Sequence, residues 1–105
     1  MDKSFENGCV LIVGGSGGIG SLCAQEFAQS GAKVAITYYK NEQAAIDVAN
    51  DVNKDVKIYQ LDNSDPKSVE ETFQKVVNDH GSINTLVNAA GFDIPQKFIS
   101  EIDID

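Results

Sequence analysis

Two hydrophobic rhythms alternate along the chain. Cys9–Val13 is an unbroken apolar run that ends at a cluster of glycines, as a strand buried on both faces should read. Over residues 19–30 the spacing becomes helical, with apolar side chains at Ile19, Leu22, Cys23 and Phe27, and Gly31 stands where a C-terminal glycine cap belongs. Lys33–Tyr38 predicts a second strand. Asn41 suits the capping position of a helix whose apolar face is Ala45, Val48, Ala49 and Val52. Val56–Leu61 predicts a third strand. Asp65 and Pro66 then pair a cap residue with proline at the first helical position, and the helix they start carries Val69, Phe73, Val76 and His80 on one side before Gly81 ends it. Thr85–Asn88 belongs to a fourth strand that runs into Ala89, Ala90 and Gly91. Residues Phe92 to Asp105, with Pro95 among them, show no clear period.

The resulting string is β-α-β-α-β-α-β with short connections. Helical crossovers between strands imply a parallel sheet with right-handed connections and helices on both faces, an α/β class in which residues 1–105 form a single, partial domain. Composition agrees: 42% apolar and 23% charged residues fit a globular chain with a modest core. No apolar run is long enough to span a bilayer. The N-terminal residues lack a secretory pattern, so a cytoplasmic location is expected. Cys9 and Cys23 read as reduced, buried thiols, and two cysteines with one histidine do not make a zinc site, so no metal is expected. Sixteen acids against eight lysines give a net charge of −8. That balance argues against nucleic acid or an anionic membrane as the partner. A dinucleotide is not excluded, because backbone N–H groups at a helix start hold pyrophosphate without net positive charge.

Between the first strand and first helix lies Gly14-Gly15-Ser16-Gly17-Gly18-Ile19-Gly20. Glycines here permit a tight turn, let backbone approach a pyrophosphate, and let the helix sit close to the strand. Strand before and helix after are the setting that gives such a turn meaning. Three spacings fit: Gly15, Gly17 and Gly20 as G-x-G-x-x-G; Gly14, Gly17 and Gly20 as G-x-x-G-x-x-G; Gly14, Gly18 and Gly20 as G-x-x-x-G-x-G.

Two more segments narrow the choice. Leu86-Val87-Asn88-Ala89-Ala90-Gly91 closes the fourth strand, and Leu61-Asp62-Asn63-Ser64-Asp65 closes the third. With the third glycine spacing, they resemble the short-chain dehydrogenase/reductase family over about residues 8 to 94, on the half of it that binds the cofactor in a Rossmann-like fold. The resemblance implies that Gly14, Gly18 and Gly20 form the cofactor turn, with Ser16 and Ile19 near the phosphates and ribose. It implies that Asp62 accepts a hydrogen bond from the adenine amino group with Asn63 beside it, that Asn88 secures the sheet near the cofactor, and that Ala89, Ala90 and Gly91 line a ribose. On the residues alone, Asp62 also fits a turn-starting acid, and Asn88 a tie between strands. Val13 stands where the family usually has threonine, which removes a hydroxyl that steadies the turn, and Ala89 replaces a frequent second asparagine.

An acid at the end of the second strand selects NAD by bonding the adenosine 2′-hydroxyl. Here Ile36-Thr37-Tyr38-Tyr39-Lys40-Asn41 offers no carboxylate until Glu42. Thr37 and Tyr39 are hydroxyl donors and Lys40 is a cation, which favours NADP(H) over NAD(H), although there is no arginine and Gly17 sits where users of NADP in the family often place a basic residue. The glycine turn and the Tyr38-Tyr39-Lys40 stretch look similar to 3-oxoacyl-carrier-protein reductases.

The family's hydride transfer uses a serine and Tyr-x-x-x-Lys, the lysine lowering the tyrosine pKa. Positions four after Tyr38, Tyr39 and Tyr59 are Glu42, Gln43 and Asn63, so no catalytic residue is assigned. His80, at a helix end, fits capping or dipole complementation. The expectation is therefore the NAD(P)(H)-binding half of an oxidoreductase acting on a small carbonyl or alcohol, homo-oligomeric if longer, and with an exposed sheet edge, marginal stability and no turnover in these 105 residues. A dinucleotide-binding sensor or regulatory module is the alternative. A methyltransferase using S-adenosylmethionine fits poorly, since Tyr38 stands where an acid is wanted.

Overall fold

A computed structural model describes residues 8–14, 17–52 and 55–89. Seven elements follow one another: β1 (Cys9–Val13), α1 (Gly18–Gln29), β2 (Val34–Tyr38), α2 (Glu42–Val52), β3 (Lys57–Gln60), α3 (Pro66–His80) and β4 (Ile83–Asn88). The strands form one parallel sheet in the order β3-β2-β1-β4. This is the doubly wound, Rossmann-like arrangement expected, and it has a purely steric cause. A parallel pair needs a crossover, and a right-twisted strand feeding a helix packs back on the sheet in one hand only.

Strand alternation divides the core in two. Cys9, Leu11, Val13, Ala35, Tyr59 and Leu61 face α3, where Val69, Phe73 and Val76 cover them. Val10, Ile12, Val34 and Ile36 face the other way, against Ala24 of α1 and Ala45 of α2. All five residues of β1 are buried, because the strand is central and covered on both faces. The two cysteines are free and lie on opposite sides of the sheet; Cys9 is buried and Cys23 only half-buried.

Helix boundaries follow the predicted caps. Asn41 Oδ1 accepts the Ala44 N–H at 3.0 Å. Asp65 Oδ1 accepts the Lys67 N–H at 3.0 Å, with Pro66 beginning α3. Gly81 takes φ +90° and returns its N–H to the Val77 carbonyl at 2.7 Å, which satisfies a helix-end acceptor.

Two expectations need correction. Ile19 and Leu22 lie not on the buried face of α1 but 73% and 62% exposed. The face that meets the sheet is Gly20 and Ala24, flanked by Cys23, Phe27 and Ala28, since small residues let the helix axis approach the strands. β4 begins at Ile83 rather than Thr85. Ile83 pairs with Cys9 and Thr85 with Val10, so the register slips at Asn84, and this irregularity hides the strand's start from an alternation reading.

Candidate functional site

The chain reverses direction across the sheet between β1 and β4: β2 and β3 are added on one side of β1, and β4 on the other. Outside the carboxyl ends of such strands, at the reversal, a crevice forms that helix starts and loops surround. Every described candidate residue falls at that end. Gly14, Gly18, Ile19 and Gly20 follow β1, Tyr39 and Lys40 follow β2, Asp62 and Asn63 follow β3, and Asn88 and Ala89 end β4. Ser16, Ala90 and Gly91, with Gly15 of the alternative spacing, lie outside the described residues.

The turn is built from three directions. Gly14 has φ +79°, a backbone state that side chains disfavour. Its N–H donates to Thr37 Oγ1 on β2 at 3.0 Å. The Gly17 N–H donates to the Gly14 carbonyl at 3.2 Å, and the Ala89 N–H donates to the Val13 carbonyl at 2.9 Å, tying the exit of β4 to the exit of β1. Gly17 then caps α1 and, being glycine, offers no side-chain acceptor to the amides of the first helical turn. Those amides, at the positive end of the helix dipole, suit an anion. A Cβ at Gly18 would meet no described atom within 4 Å, so the protein's own packing does not demand glycine there. Gly20, in contrast, is buried.

Thr37 is the residue that sequence reasoning placed wrongly. It was expected to donate toward a 2′-substituent, yet it is 2% exposed and occupied with Gly14. It restores from β2 the hydroxyl that Val13 lacks on β1. The signal was present in a hydroxyl within an otherwise apolar buried strand, which needs a partner close by.

Beyond β2, Tyr39 is 48% exposed and Lys40 Nζ lies 5.2 Å from its ring centroid, within cation–π range. Tyr38 Oη donates to Glu42 Oε2 at 2.8 Å, so the first acid after the strand is already engaged. At the end of β3, Asp62 does begin a turn: Oδ1 accepts from Ser64 Oγ at 2.6 Å and from the Ser64 N–H at 3.0 Å. The Ser64 hydroxyl, then its N–H, hold the Asp62 carboxyl below the usual carboxylate range, and the charge of Lys40 acts in the same direction. Ser68 Oγ accepts the Asp62 N–H at 3.0 Å and fixes the backbone. Asn63 and Asn88 are both exposed, with Asn88 opposite Val13 in the register. A groove of about 490 Å³ runs from Tyr39 past Gln60 and Asp62 to Ser68. A larger one of about 580 Å³, lined by Lys33, Lys57 and His80, lies at the opposite end of the strands, away from the glycine turn.

At that opposite end, Tyr59 Oη donates to Asp79 Oδ2 at 2.7 Å and lies 3.2 Å from His80 Nε2. Burial first, then the charge of Lys57, push the His80 pKa below its ordinary value, which disfavours the charged form that would complement the helix dipole. Its place is structural, joining the end of α3 to β3. Among the described residues no group of His, Cys, Asp or Glu is arranged to hold a metal ion, and no helix is long and apolar enough to cross a membrane.

Residues 8–105 match the family model for short chain dehydrogenases. The chain is 33% identical over 87 residues to a short-chain dehydrogenase/reductase homolog, YusS, of Bacillus subtilis (strain 168), covering 80% of each chain. It is 34% identical over 94 residues to the NADP-dependent mannitol dehydrogenase of Hypocrea jecorina, covering 84% of this chain and 35% of that enzyme. It is 31% identical over 106 residues to the 7alpha-hydroxysteroid dehydrogenase of Bacteroides fragilis, covering 96% of this chain and 40% of that one. The solved short-chain dehydrogenase/reductase from Serratia marcescens superposes with a TM-score of 0.74 at 28% identity, over 81% of this chain and 36% of that structure. The chain therefore spans most of the Bacillus protein and two-fifths or less of the other three.

Proposed function

Given that the chain belongs to the short-chain dehydrogenase family, we propose that it supplies the cofactor-binding half of an oxidoreductase that interconverts a carbonyl and a secondary alcohol, with NADP(H) preferred over NAD(H). The observation that carries this reading is the gathering of Gly14, Gly18, Lys40, Asp62 and Ala89 at the carboxyl ends of four parallel strands, around the point where the strand order reverses. The lack of any described atom within 4 Å of a Cβ at Gly18, and a first turn of α1 with no side-chain cap bond from Gly17, fit a pyrophosphate. When bound, the dinucleotide supplies the hydride. The chain's own residues bind and orient it. Gly14 and Gly17 shape the turn, the α1 amides face the phosphates, Asp62 accepts from the adenine amino group, and Ala89, in the sequence motif that continues with Ala90 and Gly91, lines a ribose of the cofactor.

NADP(H) preference rests on Lys40, a cation next to the site of the adenosine 2′-group, with no carboxylate between it and the end of β2. The printed cofactor of the Hypocrea relative supports the same choice. Within these 105 residues no tyrosine is followed four positions later by lysine, so the reading includes binding without turnover. The test is titration of the chain with NADPH and with NADH, followed by reduced-nicotinamide fluorescence. NADPH binds more tightly, and Lys40→Ala weakens NADPH about fivefold, roughly the 1 kcal/mol of one exposed charge pair, while sparing NADH. Equal or tighter binding of NADH overturns the preference, and reduction of a carbonyl by the purified chain overturns the absence of turnover.

A further inference from the structure

β2 buries a hydroxyl that the strand itself does not require. Thr37 is 2% exposed and stands opposite Tyr59 in the register with β3. Valine has the same branched shape and would occupy the position without the cost of burying a polar group. What the hydroxyl meets is the turn after β1. Thr37 Oγ1 accepts the Gly14 N–H at 3.0 Å, across 23 positions of sequence. The turn's other two ties, from the Gly17 N–H to the Gly14 carbonyl and from the Ala89 N–H to the Val13 carbonyl, join backbone to backbone. Of the three, only the bond to Thr37 depends on a side chain.

Residues 14–18 include four glycines, and such a segment has wide conformational freedom to lose when it closes on a ligand. An internal bond that holds Gly14 at φ +79° moves part of that loss from binding to folding, and affinity rises accordingly. We infer that Thr37 is a positioning residue for the phosphate-binding turn: its hydroxyl holds the Gly14 amide, shapes the turn in advance, and raises affinity for a dinucleotide without touching it. The inference rests on the cofactor reading above and adds to it a residue that acts through the backbone. The pyrophosphate is common to NADPH and NADH, so the effect falls on both alike, unlike that of a charge beside the 2′-group.

The experiment measures dissociation constants for NADPH and NADH, together with the thermal melt, in the 105-residue chain, in Thr37→Val and in Thr37→Ser. Thr37→Val still melts cooperatively and binds both dinucleotides about tenfold more weakly, the scale of one hydrogen bond to a partly buried amide, with their ratio unchanged. Thr37→Ser keeps the hydroxyl and holds both affinities within about threefold of the parent. Parent affinity in a folded Thr37→Val chain overturns the inference and leaves the cofactor reading standing. A loss confined to NADPH overturns it too, because the hydroxyl then acts at the 2′-group and not through the turn. A loss of the same size in Thr37→Ser assigns the residue to packing and overturns it as well. A parent chain that binds neither dinucleotide overturns the reading beneath the inference. If Thr37→Val does not fold, hydrogen exchange at the Gly14 amide of the parent decides: protection at least about tenfold above an open chain supports the held turn, and open-chain exchange overturns it.

Discussion

A Cβ at Gly18 would meet no described atom within 4 Å, while one at Gly8 would press on the Ser82 carbonyl at 2.6 Å and on Asn84 Oδ1 at 3.0 Å, with φ already at +104°. The two glycines therefore answer to different demands, and their alanine variants separate them. Gly18→Ala keeps or raises the thermal midpoint, since alanine in place of glycine in a helix gains up to about 1 kcal/mol, and it weakens NADPH binding about tenfold by filling the approach to the phosphates. A lowered midpoint would assign Gly18 to the fold instead. Gly8→Ala loses roughly 1–3 kcal/mol in urea unfolding, from strain and from the displaced Ser82–Asn84 pair. At this scale the sequence was legible where a residue type has one use, as with Asp65 before Pro66, and illegible where a side chain has two. Thr37, like Tyr39, read as a donor toward the cofactor, and Tyr38 was given no partner. A strand's end does not reveal which hydroxyl turns inward to a neighbouring amide and which turns to an acid four residues on.

Elements were easier to find than their faces. The run Cys9–Val13 and the cap residues Asn41, Asp65 and Gly81 marked boundaries because each has a local cause. The phase of α1 did not, because Ile19 and Leu22 outweigh Gly20 and Ala24 on any hydrophobic scale, yet the sheet selects the small pair for close approach. The bond from Tyr59 to Asp79 and His80 was also hidden, since it joins positions 20 and 21 residues apart. That junction makes stability depend on pH in a defined direction. Burial lowers the His80 pKa from 6.5, so below pH 6.5 the unfolded chain takes up a proton that the folded chain refuses. The contribution is full above pH 6.5 and declines as pH falls toward the folded-state value. Urea midpoints therefore fall between about pH 7 and pH 5, and His80→Gln flattens that part of the curve. The lowered Asp62 pKa acts separately, below its usual 3.8, with a contribution present above that value and lost as pH drops. A His80→Gln profile identical to the parent's would show that the slope comes from other groups.

Taken whole, the molecule is a sheet with α1 and α2 on one face, α3 on the other, and no partner for the outer edges of β3 and β4 among the described residues. The β3 edge is short, with exposed Lys57 and Gln60, features that discourage pairing. The β4 edge carries half-buried Thr85, Leu86 and Val87 and has less protection. With a net charge of −8 opposing contact, self-association through β4 strengthens with salt, and sedimentation velocity of the chain at low and high ionic strength shows the mass average rising. A monomer at every salt concentration would mean that the edge is covered. The bond between Gly14 and Thr37 has a wider effect. It spans 23 residues, so the phosphate-facing turn acquires its shape only after β2 has docked beside β1. An incompletely paired chain has no cradle to offer, and a dinucleotide engages the assembled sheet alone. On the proposed reading, a bound dinucleotide then stabilises its own receptor by mass action, and the fraction of chains that survive proteolysis is expected to rise and fall with the supply of that dinucleotide.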